Sequence, residues 1–192
     1  MSSCRRLLAT MLVVGACVPA ARAQETSFNA EIDRAVGDRT VTMTLTGSAV
    51  RKKLFFQVYS IASYVEKGVS IRTAEQLAAA NVPKQLHLIM LRNVSGPDMA
   101  DAFESITRKN YPAPVFADEI KTFSNLLRSR TASSGDHFFL THIPKVGLEV
   151  KHLGKETVVI RNPQFSQAVW DNYLGRTNVG EDVKRGLISK LQ

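Results

Sequence analysis

The residues best equipped for chemistry are grouped between Gly47 and Gly68: Arg51, Tyr59, Ser63 and Tyr64. Arg51 opens a basic triplet, Arg51-Lys52-Lys53, and the other three belong to an aromatic and β-branched run from Leu54 to Val65. Such a run favours extended structure over helix. Both of its parities are largely apolar, so the strand is expected to be covered on both faces and central in its sheet. Gln57, Ser60, Ser63 and the two tyrosine hydroxyls would then require hydrogen-bond partners or a ligand. The triplet has two readings. Three cations at a strand start can form a solvated edge that discourages sheet-edge pairing, or Arg51 can enter a pocket. Tyr59 and Tyr64 read first as core residues with satisfied hydroxyls.

Other chemistries find little support. There is no G-x-S-x-G elbow, and Gly147 to Gly154-Lys155 has six intervening residues where a P-loop has four. His137, His142 and His152 stand near strand ends in a spacing that matches no metal-ligand pattern, so neither a metal nor a cofactor is expected. Both cysteines, Cys4 and Cys17, precede residue 24. That N-terminal stretch reads as a secretory leader: Arg5 and Arg6, an apolar Leu7 to Cys17, and Ala21-Arg22-Ala23 before Gln24. A second reading takes Val14-Gly15-Ala16-Cys17 as a lipoprotein box with Cys17 lipidated, and membrane contact is expected only in that case. Cleavage after Ala23 would leave 169 of the 192 residues, free of thiols, and lower the net charge from +8 by three to +5. A surplus of that size fits a solvated surface or anionic ligands better than nucleic acid.

The elements that must position these groups follow in order. A short strand is expected at 30–36, then an alternating strand Thr40 to Thr46, a turn at Gly47-Ser48, and the long strand already described. Thr73 caps a short helix with Gln76 completing a capping box. Lys84 to Val94 is a strand, Ser95-Gly96-Pro97 starts a helix bearing Met99, Ala102, Phe103 and Ile106, and Tyr111-Pro112 ends it. A helix from Ala117, strands at His137 to His142, Leu148 to His152 and Thr157 to Arg161, a helix from Asn162-Pro163 to Tyr173 and a last helix at 181–191 complete the chain. Strands and helices arrive in blocks, which predicts an α+β domain over residues 24–192, with helices packed on an antiparallel sheet.

Four stretches in register resemble the chalcone isomerase family. They are Gly47-Ser-Ala-Val-Arg51 with Val58-Tyr59, Ser63-Tyr64 and Glu66-Lys67-Gly68; Leu91-Arg-Asn-Val-Ser-Gly96; Phe139 to Gly147; and Phe165 to Trp170 with Leu174-Gly175. The resemblance implies the family's open-faced sandwich. It also implies one of two functions. Catalytic members cyclise a chalcone, an arginine matching Arg51 polarising the carbonyl; non-catalytic members bind fatty acids, an arginine and a tyrosine thirteen residues later holding the carboxylate. Arg51 and Tyr64 have that spacing, and a guanidinium fork suits a carboxylate because it donates two parallel charge-assisted bonds. Ser63 stands where the enzymes carry threonine, Met99 where they carry a catalytic tyrosine, and Ser166 where a hydroxyl lines their aryl pocket.

The expectation is an exported protein whose cleft binds a small amphipathic carboxylate such as a fatty acid. Arg51 and Tyr64 would gate it and hold the head group, Ser63 and Ser166 would assist, and Met90, Met99 and Phe103 would supply an apolar lining. Two alternatives are an intramolecular lyase using Arg51, Ser63 and Tyr59, and an envelope interaction module without a small ligand. Arg51 and Tyr64 have opposite strand parity, so the first reading needs a bulge or bend to bring them to one cleft.

Overall fold

In the computed structural model, residues 27–153 and 157–191 are described. The leader at 1–23, Cys17 and the turn at Gly154-Lys155 lie outside them. Seven strands form one antiparallel sheet in chain order: β1 (Glu31–Val36), β2 (Arg39–Lys53), β3 (Phe56–Glu66), β4 (Lys84–Met90), β5 (His137–Ile143), β6 (Gly147–His152) and β7 (Thr157–Ile160). Five helices accompany them: α1 (Ala74–Ala79), α2 (Gly96–Asn110), α3 (Ala117–Arg128), α4 (Pro163–Leu174) and α5 (Glu181–Leu187). The α+β expectation holds.

Local signals explain where the helices start. The side chains of Thr73, Ser95 and Asn162 accept from the backbone N–H groups of Gln76, Asp98 and Phe165 at 3.1, 3.2 and 3.0 Å, satisfying donors that a helix start leaves free. Proline follows Ser95 and Asn162 in the first turn of α2 and α4, where its missing N–H does no harm.

The helices cover one face of the sheet. Ile61, Leu86, Leu140 and Val150 point from successive strands into a core shared with Phe165, Trp170 and Leu187 of α4 and α5. A smaller cluster on the opposite face gathers Val41, Met43, Ala62, Tyr64 and Ile143, with Phe28 and Ile32 against it. The strand β3 lies third in the sheet between β2 and β4, which accounts for apolar residues at both of its parities.

Around Gly47 the structure departs from the expected pattern. No turn occurs there: β2 runs straight through, with the pairing to β3 shifting between Leu45↔Tyr64 and Gly47↔Ser63 so that Thr46 bulges out. Gly47 is required for a different reason. A Cβ on it would lie 2.1 Å from the carbonyl oxygen of Gly186, because the backbone of α5 rests directly on β2. The bulged Thr46 hydroxyl donates to Leu187 O at 2.8 Å and fixes that contact. The actual turn comes at Leu54-Phe55, so these residues, expected at the start of the buried strand, are 84% and 96% exposed.

Candidate functional site

A cavity of about 410 Å³ lies between the helix-covered face of the sheet and α2, α3 and α4. That volume falls within the range of about 300–1,000 Å³ usual for small-molecule sites. Its floor is the inward parity of the strands: Tyr59 on β3 faces Met90 on β4, Leu88 faces Phe138 on β5, and Leu140 faces Val150 on β6. Its roof is the apolar stripe of α2, where Met99, Ala102, Phe103 and Ile106 recur at helical spacing, with Phe123 and Leu127 of α3 behind.

Arg51, Tyr59 and Tyr173 together form a polar end of this lining. Arg51 and Tyr59 are direct cross-strand partners, so their side chains leave the sheet on the same face. A second register shift follows immediately, between Arg51↔Tyr59 and Lys52↔Gln57, and leaves Val58 as the extra residue, also lining the cavity. From the opposite wall Tyr173 of α4 brings its hydroxyl close to that of Tyr59. Burial raises the pKa of Tyr59, while Arg51 and the neighbouring Tyr173 hydroxyl pull it the other way. Burial also holds Tyr173 well above the usual phenol range. Both hydroxyls therefore stay protonated at neutral pH and serve as donors.

Arg51 donates from Nη1 to the carbonyl of Lys52, and among the described residues no ion pair engages it. The loop before α5 runs beside it: a Cβ on Gly180 would lie 3.6 Å from Arg51 Nη1. Lys53, Lys109 and Asp98 also border the cavity. Asp98 is engaged by the Ser95 hydroxyl, which donates to its Oδ2 at 2.6 Å. Asn172, buried at the edge of the lining, donates to the Thr107 hydroxyl at 2.8 Å and accepts from Asn110 at 3.2 Å. It ties α4 to α2 and so fixes the width of the polar end.

The structure brings Arg51, Tyr59 and Met99 to one cavity and leaves Tyr64, Ser63 and Ser166 out of its lining. Tyr64 is the clear correction. It is five residues from Tyr59 on a strand whose pairing with β4 is continuous from Tyr59↔Met90 to Val65↔Lys84. With period-two alternation unbroken, it points to the opposite face. There its hydroxyl donates to Asn29 O at 3.0 Å. The shift at Thr46 lies in β2 and does not alter parity within β3.

Ser63 shares the parity of Tyr59 but sits four residues along, about 13 Å at strand rise. It is fully buried between Gly47 and Leu86, and its Oγ has no partner among the described residues. Ser166, also fully buried, has Oγ 2.8 Å from Nδ1 of His142. Tyr173 was not singled out by sequence reasoning. Its signal was helical: it follows Val169 by one turn on the sheet-facing side of α4, and both line the cavity.

Comparison with known proteins places this geometry in context. A family profile described as chalcone isomerase-like matches residues 24–189. No curated protein sequence matches the chain. Among solved structures, the crystal structure of the Arabidopsis thaliana fatty-acid binding protein AtFAP1 is similar, with a TM-score of 0.63 at 18% sequence identity. The likeness covers 84% of this chain and 91% of that one, and it establishes a shared fold.

Proposed function

The chain belongs to the chalcone isomerase-like family, and from that premise we propose that its cleft binds a small amphipathic carboxylate, a fatty acid being the simplest. One observation carries the reading: Arg51, without an ion-pair partner among the described residues, shares the polar end of an otherwise apolar cavity with the Tyr59–Tyr173 hydroxyl pair. A carboxylate there would accept from the guanidinium and from a phenol, both charge-assisted bonds. Its hydrocarbon tail would run between Met90, Met99, Phe103 and Leu140. Two flexible methionines suit a tail of variable shape. The similar structure of AtFAP1, a fatty-acid binding protein, supports this choice of ligand class.

Tyr59 and Tyr173 replace Tyr64 as the arginine's companions in this proposal. The protein is proposed to act outside the cytoplasm, from the leader at 1–23, and a mass of the mature chain distinguishes cleavage after Ala23 from lipidation at Cys17. Native mass spectrometry of protein purified after export tests the binding reading. A co-purifying acid is expected. No adduct, together with no uptake of added dodecanoate, would overturn it.

A second reading rests on the same Arg51–Tyr59 pair. In an intramolecular lyase the arginine would stabilise a developing enolate oxygen and a tyrosine would donate a proton. With Met99 in the cavity where that chemistry has a tyrosine, binding is the better supported of the two. Loss of chalcone absorbance on adding protein is the direct assay, and no loss is expected.

A further inference from the structure

We infer that the tip of the β2–β3 hairpin docks on an anionic phospholipid bilayer, with Leu54, Phe55 and Phe56 entering the headgroup region and Lys52 and Arg92 meeting lipid phosphates. Leu54, Phe55 and Phe56 are 84%, 96% and 58% exposed and consecutive. Single exposed apolar residues are ordinary on a protein surface; a contiguous group calls for a partner.

The surroundings identify the partner. Lys52 and Lys53 precede the tip, Arg92 stacks on the Phe56 ring at 4.9 Å, and no acidic residue occurs between Arg39 and Glu66. Apolar side chains ringed by cations match the apolar–anionic layering of a bilayer surface. The basic triplet also discourages pairing along β2, whose contact with β1 ends at Thr44, but that does not explain the apolar residues.

Backbone conformation points the same way. The connection between Lys53 and Phe56 has two residues, and only the first, Leu54, has positive φ, at 55°. A type II′ turn has that pattern and takes glycine at that position. A leucine there is unfavourable for the turn, so its presence fits a role in what the tip touches.

The same end of the hairpin carries Arg51 and Lys53 into the cavity lining. Docking would thus set the polar end of the cleft at the membrane surface. It requires neither lipidation at Cys17 nor any particular occupant of the cleft.

The test is Phe55→Trp in the full chain, read by fluorescence against vesicles of phosphatidylcholine alone or mixed with phosphatidylglycerol. Trp170, fully buried, is the background and is subtracted using the unsubstituted chain. A blue shift and quenching by brominated lipid are expected with anionic vesicles and not with neutral ones. Lys52→Ala with Arg92→Ala should reduce partitioning about 25-fold, roughly fivefold per cation. Leu54→Gly suits the turn, so its weaker binding would not reflect misfolding. A difference emission from the Phe55→Trp chain that anionic vesicles leave unchanged would overturn the proposal. So would a concentration-dependent blue shift without vesicles, which would assign the tip to a second copy of the chain. Failure of carboxylate binding in the cleft would leave this readout untouched.

Discussion

Arg51 on β2 and Tyr59 on β3 stand directly opposite each other, while Tyr64, five residues further along the same strand, faces the other side of the sheet. That relationship decides which tyrosine can share a ligand with the arginine. It also separates two hydroxyls that look equivalent in the sequence.

Removing the Tyr64 hydroxyl should therefore affect stability and not ligand binding. Tyr64→Phe loses the bond to Asn29 O, worth about 1 kcal/mol, visible as a lower urea midpoint. Dodecanoate affinity should stay within about twofold of the parent. A tenfold loss of affinity at unchanged stability would mean that Tyr64 reaches the cleft after all.

Gly47→Ala should be among the more damaging small substitutions. Its methyl group would meet Gly186 O at 2.1 Å and the Leu187 carbonyl carbon at 2.8 Å, both backbone atoms of α5. Relief requires lifting α5 from β2, an overpacking penalty of about 1–3 kcal/mol, measurable by urea unfolding. Because α5 follows the loop beside Arg51, ligand affinity should fall as well. A fully stable variant would show that α5 is not seated as described.

Stability should decline in mild acid through His142. Its ring is fully buried, with Nδ1 2.8 Å from Ser166 Oγ and Nε2 3.1 Å from Asn81 Oδ1. Burial, and secondarily the nearby Lys84 ammonium, hold its pKa down to about 4. A depressed folded-state value means the unfolded chain binds the proton first, so stability is complete above about pH 6.5 and is lost as pH falls toward 4. The loss attributable to this ring is about 2–3 kcal/mol at pH 4.5. His87, also held near 4 mainly by burial, contributes in the same window. His142→Gln should flatten only part of the slope in urea unfolding at pH 7 against pH 4.5. An unchanged slope would show that His142 does not contribute to the acid sensitivity.

How much of this was legible in the sequence differs between elements. The alternation from Thr40 to Thr46 and the cap residues Thr73, Ser95 and Asn162 mark strands and helices because their signals are local. Gly47 reads as a turn because glycine usually marks one, whereas here it accommodates α5, about 140 residues further along the chain. No local pattern could reveal that. The true turn was hidden because Leu54-Phe55 carries none of the usual turn residues. The parity conflict between Arg51 and Tyr64 was visible from period-two alternation alone, and the structure resolves it against Tyr64. Tyr173 belongs to a helix that meets Tyr59 only once the sheet is covered, so its role depended on tertiary structure.

Arg51 and the tyrosine pair are proposed to recognise a carboxylate. Calorimetric titration of the parent chain and of Arg51→Met with dodecanoate and with its methyl ester tests it most directly. The parent should prefer the acid by at least about tenfold, the equivalent of one charge-assisted hydrogen bond of about 1.5–3 kcal/mol, and Arg51→Met should lose the preference while still binding the ester. An Arg51→Met chain that binds the acid as tightly as the parent would contradict it.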